Sequence, residues 1–145
     1  MATNFAVVFL LYYGITLLVM VSCTQALKYI IRRERPTNKD DLWRLVDMRS
    51  VENGTFSMPS GDSAAGAVFC TLIAFEMDCP WIFVVLPLVM AGRIYYHCHW
   101  LGDTLAGASI GLFWGAIAVI YFNELVPLWS WICGSDYFIK ASSTS

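Results

Sequence analysis

The sequence predicts an all-α fold: a polytopic membrane helix bundle of about four transmembrane spans with an interfacial C-terminal segment. Three observations carry this. Apolar residues make up 58% of the 145 and charged residues only 14%, with mean hydropathy +0.60; soluble domains run near half apolar and a quarter charged. Four apolar runs follow one another, and a single long polar segment, residues 37–58, interrupts them. The length fits one domain, residues 1–145. A net charge of −2 is too small to point to a nucleic-acid partner.

The first run, Phe5 to about Leu27, lacks a basic leader and is too long for the apolar core of a signal peptide. It is long enough to cross a bilayer. The span continues into the basic stretch "KYIIRRERP" and is expected to stop at Pro36, because proline cannot extend a helix and biases its predecessor away from one. Within 37–58, "DDLWRLVDM" has the spacing of a short interfacial helix, and "ENGTF" is a turn. The second run, "SAAGAVFCTLIAF", is short and rich in small residues, as suits close packing in a bundle. The third starts after Pro80, "WIFVVLPLVMAG", and runs through "RIYYHCHW". The fourth spans Thr104 to Phe122, where Gly107, Gly111 and Gly115 form a ridge for helix contact. Trp129, Trp131 and Tyr137 give the tail an interfacial character.

Five cysteines make an odd count, with no zinc-type pair among them. Cys23, Cys70 and Cys98 lie in or beside apolar runs and read as small hydrophobes. Four spans fix a topology in which Lys28, Arg32, Arg33, Arg35, Lys39, Arg44, Arg49 and Arg93 share one side, and Lys140 is the exception. By the positive-inside rule that side is cytoplasmic, or the matrix-like side of an organelle membrane.

Chemistry-bearing residues gather on the same side. Lys28, Arg32 and Arg35 stand at i, i+4 and i+7, one face of a helix, although a solvated basic flank has the same spacing. "SG" at 60–61 opens the second span, where free backbone N–H groups favour an anion; Ser60 is equally an ordinary N-cap. Arg93 closes an apolar run, where it also reads as snorkelling to the interface. His99 and Asp103 are four apart, so the carboxylate can orient the imidazole for nucleophilic or basic work, or merely pair with it at a helix start. Several cations, an anion-binding helix end and an oriented histidine fit a phosphate, and phosphoryl transfer depends chiefly on positioning and charge.

These motifs resemble the type-2 phosphatidic acid phosphatase and vanadium haloperoxidase superfamily, whose pattern is K-x6-RP, then PSGH, then SR-x5-H-x3-D. Here the pattern reads "KYIIRRERP", "PSGD" and "GRIYYHCHWLGD", with nine of eleven positions kept over a motif-bearing core of about 24–120. The resemblance implies that Lys28, Arg35, Arg93, Ser60 and the Gly61 backbone bind phosphate. It also implies that His99 is the nucleophile, forming a phosphohistidine, and that Asp103 orients it. His97 is a bystander and Arg32 an extra cation. No metal or cofactor is implied for the phosphatase branch, which the membrane character favours.

Two positions depart. Gly92 replaces a phosphate-contacting serine, and Asp62 replaces the histidine that protonates the leaving group. Asp62 is therefore either a substitute general acid or a plain helix-start acid. The family's membrane enzymes usually have six spans, two of them before the first motif. The expectation is a phosphatase of a lipid phosphate or lipid pyrophosphate, with membrane lipids as its surroundings. The alternative is a weak or inactive member of the fold, serving as a structural subunit among other membrane subunits.

Overall fold

In a computed structural model of the chain, the residues described are 2–36 and 54–133, and among them there is no strand. Helix α1 spans Ala2–Ile31, α2 Gly61–Glu76, α3 Val85–Tyr95 and α4 Leu101–Cys133; a 3-10 turn, Pro80–Val84, leads into α3. The expected interfacial helix around "DDLWRLVDM" lies outside the described residues, as do Lys39, Arg44, Arg49, Tyr137 and Lys140.

Two stretches are long and apolar enough to cross a membrane, Phe9–Ile31 with 23 residues and Leu101–Phe122 with 22. Helix α2 has 16 residues, roughly 24 Å of rise, and Pro80–Tyr95 is likewise a shorter apolar stretch. The four helices match the four runs, but only two of them have full spanning length. Helix α4 does not stop at Phe122; its backbone continues through Pro127 to Cys133, so the first part of the tail extends the helix.

Helix α1 ends earlier than Pro36 alone requires. Arg32 turns into the left-handed region (φ 52°) while its amide still donates to the Lys28 carbonyl at 2.9 Å. Residues 32–36 then leave the helix. The carbonyl of Arg33 accepts from the Ser57 amide at 2.8 Å and from the Ser57 hydroxyl at 3.1 Å, and that hydroxyl also reaches the Glu34 carbonyl. These bonds replace the helical ones given up, so Arg32 and Arg35 do not share a helical face with Lys28. Arg32 instead folds back, its Nε donating to the Tyr29 carbonyl.

Helix α2 is the centre of the bundle. One core cluster joins Tyr12 and Met20 of α1, Ala64, Val68 and Leu72 of α2, and Ala118 and Phe122 of α4. A second joins Ala67 and Cys70 of α2 to Leu86 of α3 and Ala108 of α4. The Tyr12 hydroxyl donates to the Ala118 carbonyl at 2.6 Å. The glycine ridge lies on the α2–α4 contact: a methyl at Gly107 or Gly111 would overlap the Ser60 or Ala64 carbonyl oxygen, and one at Gly115 would press on Thr71. Glycine is what lets these backbones touch. Cys70 and Cys98 are buried free thiols, as their apolar setting predicts.

Candidate active site

The end of α1, the start of α2, the end of α3 and the start of α4 meet at one end of the bundle. Ser60 caps α2 from a fully buried position. Its Oγ accepts from the Ser63 amide at 3.3 Å and lies 3.1 Å from the Ser63 hydroxyl, and its own amide donates to the Asp103 carbonyl at 2.9 Å. The first turn of α2 is thereby fixed to the first turn of α4. Gly61 follows as the first residue of α2.

Asp103 is fully buried and organises this end. Its Oδ2 accepts from the Trp100 amide at 2.9 Å, the acidic half of a capping box. Its Oδ1 accepts from Arg33 Nη1 at 3.0 Å. The same guanidinium lies over the Trp100 ring, 5.6 Å from its centroid, within cation–π range. Trp100 Nε1 in turn donates to the Glu34 carbonyl at 3.2 Å. Arg33 carries no motif position and sequence reasoning missed it; its partner stands 70 residues away, so no local spacing signals the pair.

His99 is buried and sits in the turn before α4 rather than on a helix. That turn is set by left-handed His97 (φ 53°) and by the Cys98 and His99 amides, which both donate to the Arg93 carbonyl at 3.1 and 3.3 Å. His99 Nδ1 faces Asp103 Oδ2 at 3.8 Å, an ion-pair distance longer than a direct hydrogen bond. Nε2 lies 3.5 Å from Arg35 Nη1. A proton on Nδ1, toward the carboxylate, leaves the Nε2 lone pair facing the arginine.

Arg35 is held on several sides. Nε donates to the Thr55 carbonyl at 3.1 Å, Nη1 to the Cys98 carbonyl at 2.7 Å, and Nη2 to the Thr55 hydroxyl at 2.7 Å. Nη2 also reaches the Phe56 carbonyl at 3.4 Å. The guanidinium is thus pinned beside His99 by the 54–56 loop.

Arg93 stands in the last turn of α3, with Nε 2.9 Å from Asp62 Oδ2. Asp62 belongs to the first turn of α2 and is 58% exposed, against 14% for Arg93, so the pair lies where solvent reaches the site. Lys28 is half-buried in the last turn of α1, at the same end of the bundle. A Cβ at Gly92 would meet nothing within 4 Å, so the missing serine leaves open space there. Among the described residues no group of three or more His, Cys, Asp or Glu could hold a metal ion.

The geometry is therefore a histidine between a buried carboxylate and an arginine, with a second arginine paired to an acid on a helix start. Such a setting can present an imidazole nitrogen beside fixed positive charge, as attack on a phosphorus centre requires. A family model described as the PAP2 superfamily matches residues 8–127. No curated protein matches the chain, and no solved structure does. The family match covers most of the chain and includes all three motifs whose residues converge at this end of the bundle, so the protein belongs to the PAP2 superfamily.

Proposed function

We propose that the protein is a membrane-integral phosphatase that acts on a lipid phosphate or lipid pyrophosphate through a phosphohistidine at His99. The observation that carries this reading is the position of His99, with Nδ1 toward buried Asp103 and Nε2 toward Arg35. In the reaction Nε2 attacks phosphorus while Asp103 holds the ring and stabilises the positive charge it gains. Arg35, Arg93 and Lys28 balance the negative charge on the phosphoryl oxygens, with the Gly61 amide at the N-terminus of α2 adding to them. Water then hydrolyses the phosphohistidine. The reading needs no metal and no cofactor.

Membrane insertion is supported by where the apolar surface lies. The two long stretches are mostly exposed, with 22% and 33% of their apolar windows buried, whereas the core helix of a soluble protein would be mostly covered. Leu10, Leu18, Phe113 and Ile120 are among the large side chains that face outward. Lipid is the natural cover for such faces, and a substrate reaching the site from the bilayer edge would be a lipid. The concentration of basic residues at the site end supports a cytoplasmic or matrix-like orientation.

A second reading is favoured by one specific contact, the Asp62–Arg93 ion pair. It places an acid where the family has its proton donor and engages an arginine that would bind phosphate. On that reading the protein is a weak or inactive member of the fold that serves as a structural subunit of a membrane complex. Phosphate release from phosphatidate and from a prenyl diphosphate in detergent separates the two. Activity that His99→Ala abolishes supports the enzyme; silence from well-folded wild type and Asp62→His supports the subunit.

A further inference from the structure

The contact between Asp62 and Arg93 also bears on which bond the site can break, given the phosphatase reading above, on which this inference rests. A general acid must hand a proton to the departing oxygen. An acid whose Oδ2 stands 2.9 Å from an arginine Nε is the anionic half of an ion pair, and a carboxylate so engaged has no proton to give.

What such a site can expel depends on the basicity of the leaving oxygen. The leaving group of an alkyl phosphate monoester is an alkoxide, whose parent alcohol is about as weak an acid as water. The leaving group of a diphosphate is a phosphate ester, whose second ionisation lies at about 6. The alkoxide is by far the stronger base, so the first needs a proton as it departs and the second does not. We propose that Asp62, held on Arg93 as a carboxylate, restricts this site to phosphoanhydrides and closes it to alkyl phosphate monoesters. Asp62 is then a specificity-determining residue.

In the step so defined, His99 Nε2 forms a bond to the terminal phosphorus. The bond from that phosphorus to the bridging oxygen breaks, and the bridging oxygen keeps the electron pair and leaves on the lipid monophosphate. Water next adds to the phosphohistidine, the P–N bond breaks with its pair returning to Nε2, and the water's proton passes to solvent. Atoms and charge balance without a proton donor in the first half.

The test compares a prenyl diphosphate, the matching prenyl monophosphate and inorganic pyrophosphate, with the full-length protein in detergent, for wild type and Asp62→His. The expected result is that wild type cleaves a diphosphate at least about 10²-fold faster than the monophosphate, the low end of what general acid catalysis contributes. Asp62→His is expected to raise the monophosphate rate by about 10² and so narrow the ratio. Pyrophosphate reports whether the anhydride suffices or the lipid chain is also needed, and either outcome, with the monoester slow, agrees with the proposal. Comparable wild-type rates on diphosphate and monophosphate would overturn it and leave the phosphatase reading standing, as would a ratio that Asp62→His does not change. Release by Asp62→His alone would also overturn it, since the native site would then cleave no anhydride. Silence from both proteins on every substrate would overturn the phosphatase reading itself. The wild-type ratio needs no variant, so the proposal stands or falls on it even if Asp62→His does not fold.

Discussion

Replacing Gly107 with alanine puts a methyl group into the Ser60 backbone. Its Cβ would overlap the Ser60 carbonyl oxygen and approach Ser60 C and N to 3.0 and 3.2 Å. None of these atoms belongs to a side chain that can swing aside, so α2 and α4 must separate. Overpacking of this kind costs about 1–3 kcal/mol. Separation also stretches the 2.9 Å bond from the Ser60 amide to the Asp103 carbonyl, a further loss of about 1 kcal/mol. Against these stands the gain from replacing glycine in a helix, about 1 kcal/mol. The net expectation is a loss of about 1–3 kcal/mol, which at roughly 3–5 °C per kcal/mol for a chain of this size lowers the apparent melting temperature by roughly 3–15 °C. The assay is thermal unfolding in detergent followed by circular dichroism, with Gly14→Ala as the control, because a Cβ at Gly14 meets nothing within 4 Å. The control should match or exceed wild type. Equal midpoints for the two variants would refute the claim that the ridge sets the helix contact.

Other substitutions test the ties around the site. Arg33→Met leaves fully buried Asp103 without its 3.0 Å partner; breaking a buried pair costs several kcal/mol, but the guanidinium is 42% exposed, so the discounted loss is about 1–3 kcal/mol by denaturant titration. Arg33→Lys should restore only part of it, since lysine lacks the planar group that lies over Trp100. Thr55→Val removes the hydroxyl that holds Arg35 Nη2 at 2.7 Å but keeps the backbone carbonyl on Nε, so KM for a phosphorylated substrate should rise a few-fold with a smaller change in kcat. Tyr12→Phe deletes the 2.6 Å bond to Ala118 and should cost about 1 kcal/mol in the same unfolding assay, leaving phosphate release unchanged.

What was legible in the sequence is what repeats locally or alternates along the chain. The ridge of Gly107, Gly111 and Gly115 has a four-residue period, and such a period maps directly onto a helix face, so its role in packing could be read in advance. The gathering of the motifs at one end followed from counting apolar runs. The face drawn through Lys28, Arg32 and Arg35 did not survive, because helical spacing says nothing about where the helix stops; Arg32 leaves α1 in a left-handed turn, and tertiary bonds to Ser57 make that exit stable. Arg33 was invisible for the converse reason. Its contacts with Asp103 and Trp100 join segments far apart in sequence, and a basic residue in a basic run carries no mark of such a role. Asp62 stood out as a departure from a motif, but its pairing with Arg93 depends on how the ends of α2 and α3 meet. The fourth run was closed at Phe122, where the apolar stretch gives way to Asn123 and Glu124, yet the helix continues through Pro127 to Cys133.

The interlocked backbones of α2 and α4 also limit how the protein can move. Gly107 and Gly111 lie against the carbonyls of Ser60 and Ala64, so sliding one helix along the other would drive neighbouring side chains, Ala108 among them, into backbone. Closely packed interfaces of this kind shift between discrete registers rather than glide. The pair therefore acts as a stationary frame carrying Asp62 and Asp103. Against this frame stand the non-helical exit from α1 with Arg35 and the end of α3, whose Arg93 is tied to it by the ion pair with Asp62.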